Sequence, residues 1–134
     1  MSSNEDLILV VEDNKASSDL MAYLLRAAGN TVMTCSDGAD AIEIAALHHP
    51  RAIVMDLQLE RMSGLEAGAL LAANPDLKGI PRIAVTAYAM VGDRDRVLKS
   101  GFHGYIAKPI EPTTFAAQIK AFFLPAALHA AAER

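Results

Sequence analysis

The sequence predicts an α/β domain built on a doubly wound parallel sheet, and three observations carry that prediction. Short apolar runs recur five times along the 134 residues, stretches of helical spacing separate them, and two of the runs, Leu7-Ile8-Leu9-Val10-Val11 and Ala52-Ile53-Val54-Met55, are apolar at every position. A strand with one wet face alternates between apolar and polar residues, so a run without alternation belongs to a sheet covered on both faces. Regular alternation of strand and helix supplies that cover through right-handed crossovers between parallel strands.

The elements follow in order. Leu7 to Val11 forms the first strand, and Leu20, Tyr23, Leu24 and Ala27 share one face of the first helix, which Gly29-Asn30 can end. Thr31 to Cys35 is the second strand. Asp37-Gly38 opens the second helix, where Ala41, Ile42, Ala45 and Ala46 recur at helical intervals. Ala52 to Met55, Arg82 to Val85 and Gly104 to Ala107 are the remaining strands; Leu65 to Ala73, Val91 to Lys99 and Phe115 to Phe123 are the remaining helices. Pro50, Pro75, Pro81 and Pro112 all fall outside helix interiors, as a residue without an N–H must. The expected organisation is one domain over residues 1–124, with the Ala-rich end at 125–134 forming a short extra helix or a frayed tail.

Composition excludes several classes. The chain length suits a single domain with an ordinary core. One cysteine, Cys35, forms no internal disulfide, and Met1 to Asp6 is polar and acidic instead of a basic segment followed by an apolar one, which reads as a cytoplasmic protein. Although 52% of residues are hydrophobic, charged residues or prolines interrupt each apolar stretch before the roughly 18 residues of a membrane helix, so no membrane span is expected. A net charge of -4 with scattered Lys and Arg gives no footprint for nucleic acid.

In an open parallel sheet, ligands sit beyond the carboxyl ends of the strands where strand order reverses. Glu12-Asp13 close the first strand, Asp56 the third, Thr86 the fourth and Lys108 the fifth, so all five are expected at that edge. Each has a plainer reading alone: Glu12-Asp13 as a solvated loop or helix cap, Thr86 as a cap of the following helix, Lys108 as a surface cation. Together they say more. Three carboxylates in one place repel, and a cation or Lys108 must compensate. Hard cations such as Mg²⁺ take oxygen ligands, and an Asp held beside one can accept a phosphoryl group. Pro109 restricts Lys108 to extended geometry. His48-His49 lie at a helix end, where imidazole interacts favourably with the dipole and no third metal ligand is in view. Met21, Met33, Met55 and Cys35 read as core, and Arg94, Asp95, Arg96 and Lys99 as a solvated helix face.

The motifs Leu9-Val10-Val11-Glu12-Asp13-Asn14, Val54-Met55-Asp56, Met62-Ser63-Gly64, Ala84-Val85-Thr86-Ala87 and Tyr105-Ile106-Ala107-Lys108-Pro109 resemble those of the receiver domains of bacterial two-component response regulators, especially the single-domain ones. The similarity runs from about Leu7 to Phe123. It implies a flavodoxin-like strand order 2-1-3-4-5, Asp56 as phosphoacceptor, Mg²⁺ held by Glu12, Asp13, Asp56 and the backbone carbonyl of Gln58, and phosphoryl contacts from Thr86 and Lys108. It further implies a cis Lys108-Pro109 bond, a switch pairing Thr86 with Tyr105, and control of acyl-phosphate hydrolysis by Gln58 and Tyr88. The implied partners are a histidine kinase or histidine phosphotransfer protein and a downstream protein that reads the face of the fourth helix, fifth strand and fifth helix. One departure stands out: where receivers carry Met-Pro three and four positions after the acceptor, this chain has Leu59-Glu60.

Other functions fit these residues less well. A phosphatase using an aspartyl phosphate would need a second Asp two residues after the nucleophile, and Gln58 stands there. A phosphorylation-independent interaction module on the same fold would have no use for the intact acidic set. A nucleotide or flavin binder would show a glycine-rich turn after the first strand, which is absent. The expectation is therefore a phosphoacceptor rather than an enzyme, with no DNA-binding output domain after Arg134 and with signalling through protein contacts.

Overall fold

The apolar runs become strands β1 (Leu7–Val11), β2 (Thr31–Cys35), β3 (Ala52–Met55), β4 (Arg82–Thr86) and β5 (Gly104–Ala107) in a computed structural model that describes residues 6–87 and 93–122. They form one five-stranded sheet in the order β2-β1-β3-β4-β5, and every neighbouring pair is parallel. The order reverses at β1, between β2 and β3, which places Val11 beside Cys35 on one side and Met55 on the other. The strand boundaries match expectation except that β4 includes Thr86.

Helices α1 (Lys15–Ala27), α2 (Gly38–His48), α3 (Gly64–Ala73), α4 (Asp93–Lys99) and α5 (Phe115–Lys120) cover the sheet. Side chains alternate across a strand, so the sheet divides the core in two. Leu9, Val11, Ile53, Met55 and Ala84 pack with Ala41 and Ala45 of α2, Ala67 and Leu71 of α3, and Val97 of α4. Ile8, Val10, Val54, Ile83 and Val85 pack with Met21 and Leu25 of α1 and Phe115 and Ile119 of α5. Complete burial of β1, β3 and β4 explains why these strands do not alternate in sequence.

Side-chain caps start the helices where the sequence placed turns. Asn14 accepts from the Ser17 amide at 2.9 Å, Asp37 from Asp40 at 3.0 Å and Ser63 from Glu66 at 3.2 Å. Gly29, at φ 101°, follows the last turn of α1 as a left-handed stop. The face of α1 departs from expectation. Ser18, Met21, Ala22 and Leu25 are buried, whereas Leu20 and Tyr23 are exposed and Ala27 faces solvent. Both sets follow helical spacing, and Ser18 disguises the one that meets the sheet. In α2, likewise, Ala41 and Ala45 are buried but Ala46 is exposed. Helix α5 ends at Lys120; Val91, Phe123 and the tail at 125–134 lie outside the described residues. No helix among the described residues is long and apolar enough to cross a membrane.

Candidate functional site

The carboxyl edge of the sheet brings together the acids and the lysine. Asp56 follows β3, and its amide donates to the Val11 carbonyl at 2.9 Å, continuing the ladder one step past the strand. Glu12 does the same on the other side of β1, donating to the Cys35 carbonyl at 3.0 Å. These extra rungs fix both Cα positions. One carboxylate oxygen each from Glu12, Asp13 and Asp56 lie within 4.8 Å of one another. Glu12 and Asp56 are buried, at 3% and 6% exposure, whereas Asp13 is open to solvent.

Lys108 reaches in from the end of β5. Its backbone amide donates to the Thr86 carbonyl at 2.9 Å, and the Lys108-Pro109 peptide is cis, as the resemblance implies. The ammonium donates to Glu12 Oε1 and, at 2.9 Å, to Asp56 Oδ2. Burial alone disfavours the charge on Lys108, but its bonds to Glu12 and Asp56 outweigh that and hold the ammonium above its ordinary value. For Glu12 burial wins: its carboxyl is pushed above the usual range despite accepting from Lys108 and from the Asn14 amide at 3.1 Å. Two buried acids with one cation between them, and a third acid in water beside them, form an electron-rich pocket two positive charges short of balance. The donor set is all oxygen and open on the Asp13 side, which fits a hard divalent ion that keeps some of its waters.

The remaining expected residues divide. The Gln58 amide donates to Asp56 Oδ1 at 2.9 Å, so it fixes the carboxylate rotamer, and its side chain is exposed. Thr86 is fully buried at the end of β4. Tyr105 pairs with Ala84 and Ala107 with Thr86, so Thr86 and Tyr105 are diagonal neighbours on one face of the sheet, where half-buried Tyr105 packs against the core. Tyr88 lies outside the described residues. Cys35 is held as an unreactive thiol, its pKa pushed up to about 12 by burial and then by Asp40 and Asp37. One contact has no signature in the sequence: the Arg61 guanidinium, in the loop after Asp56, donates to the buried carboxylate of Asp37 at the start of α2.

A doubly wound sheet with a carboxylate cluster and a lysine at its switch point defines a class of α/β domains whose sheet edge could hold a hard cation. Comparison with known proteins narrows it. Residues 8–120 match the model of the response regulator receiver domain. The polar-differentiation response regulator DivK of Brucella ovis is 40% identical over 115 residues, covering 86% of this chain and 94% of that protein. Among solved structures, the receiver domain of a sensor histidine kinase from Pseudomonas aeruginosa, with a magnesium ion coordinated in its active-site cleft, aligns with TM-score 0.81 at 31% identity, covering 88% of this chain and 97% of that one. The signal receiver domain of a histidine kinase from Syntrophus aciditrophicus aligns equally well, with TM-score 0.81 at 27% identity over 88% of this chain and 89% of that one. The chain belongs to the response regulator receiver domain family of two-component systems.

Proposed function

We propose that this chain takes a phosphoryl group onto Asp56 from a phosphohistidine of a kinase or phosphotransfer protein and signals, in the cytoplasm, by changed protein contacts. The observation that carries the reading is the convergence on Asp56: a buried carboxylate at a strand end, bonded to Lys108, with Glu12 and Asp13 within reach of the same cation. In the transfer, an Asp56 oxygen bonds to phosphorus as the phosphorus–nitrogen bond breaks and its electron pair returns to the imidazole. The Gln58 amide holds Asp56 Oδ1, leaving Oδ2 to attack once Lys108 turns toward the incoming phosphoryl oxygens. Glu12, Asp13, Asp56 and the Gln58 carbonyl would hold Mg²⁺, which supplies positive charge against the transferred group. The work is positioning and charge neutralisation, and the acceptor is consumed once per transfer, so this is a phosphoacceptor and not an enzyme with turnover.

In the phosphorylated protein, the Thr86 hydroxyl donates to a phosphoryl oxygen and Tyr105 follows into the space vacated, altering the face of α4, β5 and α5 that a downstream protein reads. Gln58 and Tyr88 set the lifetime of the acyl phosphate by governing water access. The test incubates the protein and Asp56→Asn with Mg²⁺ and a small-molecule phosphodonor and records intact mass before and after hydroxylamine, which cleaves acyl phosphates. The expected result is one hydroxylamine-labile phosphoryl group, lost in the variant and without Mg²⁺. A wild-type protein that neither gains mass nor binds Mg²⁺ would overturn the reading.

A further inference from the structure

The segment between Asp56 and α3 must be held still if it is to offer a backbone carbonyl to a cation, yet its residues, Leu57-Gln58-Leu59-Glu60-Arg61-Met62-Ser63, include no proline to restrict them. Its first half is anchored by packing: Leu57 and Leu59 are buried in the core while Gln58 and Glu60 face outward. Its base is closed by the Gly64 amide, which donates to the Leu57 carbonyl at 3.0 Å. The stretch from Glu60 to Ser63 has no fully buried side chain. Two contacts cross from it to the rest of the fold: half-buried Met62 packs against the core, and the Arg61 guanidinium is bonded to Asp37 across 24 residues of sequence.

Asp37 is an unusual acceptor for a surface arginine. Its side chain is only 4% exposed, and its other oxygen already caps α2 by accepting from the Asp40 amide at 3.0 Å. The helix-end amide and then Arg61 keep its carboxyl below the usual carboxylate range. An ordinary surface ion pair is weak because two flexible side chains must be fixed in water. Here one partner is fixed already by a helix end, so only the Arg61 side chain has to be ordered. The same ends are pressed together nearby: a Cβ on Gly38 would lie 3.0 Å from the Met62 carbonyl and 2.8 Å from the Ala67 Cβ.

We propose that Arg61 is a positioning residue. By pinning the far half of the loop to the start of α2 through Asp37, it holds the Gln58 carbonyl and the Asp56–Gln58 contact in register for Mg²⁺. The inference rests on the metal and acceptor roles proposed above and adds to them a residue that touches neither metal nor phosphate. In this arrangement the order of the loop's far half rests on an ion pair added to packing instead of on a restricted backbone, so it depends on salt as well as on the side chain.

The test compares wild type, Arg61→Ala, Arg61→Lys and Asp37→Asn. Asp37→Asn keeps an oxygen for the helix cap while turning an amide donor toward Arg61. Amide hydrogen exchange of the metal-free proteins reads loop order directly, and calorimetric titration with Mg²⁺ reads its consequence. In Arg61→Ala and Asp37→Asn, exchange of the 58–62 amides is expected to rise about tenfold with α2 protection unchanged, and Mg²⁺ affinity to fall about tenfold, the low end for loss of an outer partner of a metal site. The phosphorylation rate at saturating Mg²⁺ is expected to stay within about twofold, since the loss is one of metal binding, and Arg61→Lys is expected to recover part of both losses. A wild type that binds Mg²⁺ alongside an Arg61→Ala that exchanges and binds as wild type does would overturn the positioning role alone. A wild type that binds no Mg²⁺ would overturn the metal reading and this inference with it, and the exchange data would then show whether the loop is pinned for some other purpose.

Discussion

Replacing Lys108 by Met keeps most of the side-chain stem and removes only the charge, which isolates what that charge does. In the metal-free protein the ammonium is the cation bonded to both Glu12 and Asp56, whose side chains are 1% and 7% exposed. Removing one member of a buried ion pair costs about 3–5 kcal/mol because its partner is left uncompensated. Lys108 is itself 20% exposed and Asp13 opens the site to water, so the lower end, about 3 kcal/mol, is the appropriate figure. For a domain of this size that corresponds to a melting temperature lower by roughly 12 °C. The chain has no tryptophan, so the assay is thermal or urea unfolding followed by far-ultraviolet circular dichroism, in chelator and in Mg²⁺. Mg²⁺ should narrow the gap: a ligand at one hundred times its dissociation constant stabilises by about 2.7 kcal/mol, and the variant, with no ammonium competing for the same oxygens, should bind it more tightly than wild type. Adding Asp56→Asn to Lys108→Met should restore stability in chelator, because one of the two unbalanced acids is gone. A variant as stable as wild type in chelator, or a gap indifferent to Mg²⁺, would refute the view that Lys108 and the metal compensate the same charges.

Gly64→Ala should destabilise the fold and disturb the site together. The added Cβ would collide with the Asp56 carbonyl and lie 2.7 Å from the Leu57 Cα, both backbone atoms that no rotamer change can move; a cost of about 1–3 kcal/mol is expected, and urea unfolding with Mg²⁺ titration would show loss of both stability and affinity. At the opposite end of the sheet, His103 Nδ1 accepts from the Arg82 amide at 3.1 Å. Although the residue as a whole is exposed, burial on that side, and then the Arg82 charge, lower its pKa from the ordinary 6.5. The native state therefore prefers the neutral ring. Its contribution is present above pH 6.5 and is lost as pH falls through the lowered native value. The slope of stability against pH between 7 and 5 should flatten in His103→Gln, and an unchanged slope would contradict that assignment.

The fold was legible where burial leaves a one-dimensional trace. The strands at Leu7–Val11 and Ala52–Met55 are covered on both faces, and unbroken apolar runs are what that environment selects. Helix α1 was less legible because it carries two apolar stripes: Leu20, Tyr23, Leu24 and Ala27, and the buried Ser18, Met21, Ala22 and Leu25. Spacing alone does not choose between them; packing against Ile8 and Val10 does. The site's convergence followed from the sheet, since every strand of a parallel sheet delivers its last residue to one edge. Which acids Lys108 would bond did not follow, because that depends on how far each chain runs past its strand. The Arg61–Asp37 contact had no trace at all: a helix cap and a loop arginine 24 residues apart make no pattern until the loop after β3 and the start of α2 are set side by side.

The same burial argument bears on where a signal can leave the site. Strands β1, β3 and β4 are buried along their whole length, and shifting a close-packed side chain there would open a void whose cost rises with its volume. Strand β5 is an edge, with Gly104 buried, Tyr105 and Ile106 half-buried and Ala107 exposed. Moving a mostly inactive population to a mostly active one takes about 5.5 kcal/mol of differential stabilisation, and a rearrangement that first had to break the central packing would spend much of that before reaching the surface. Thr86 is itself one of these buried side chains, and a tyrosine on the edge, diagonal to it and half in water, can turn into the space that a shift of Thr86 would leave, so that no void remains. That is the physical support for assigning the proposed switch to Thr86 and Tyr105, and for expecting the phosphorylation-sensitive surface on the β5 side of the sheet instead of along α1, whose sheet-facing residues are locked against Ile8 and Val10.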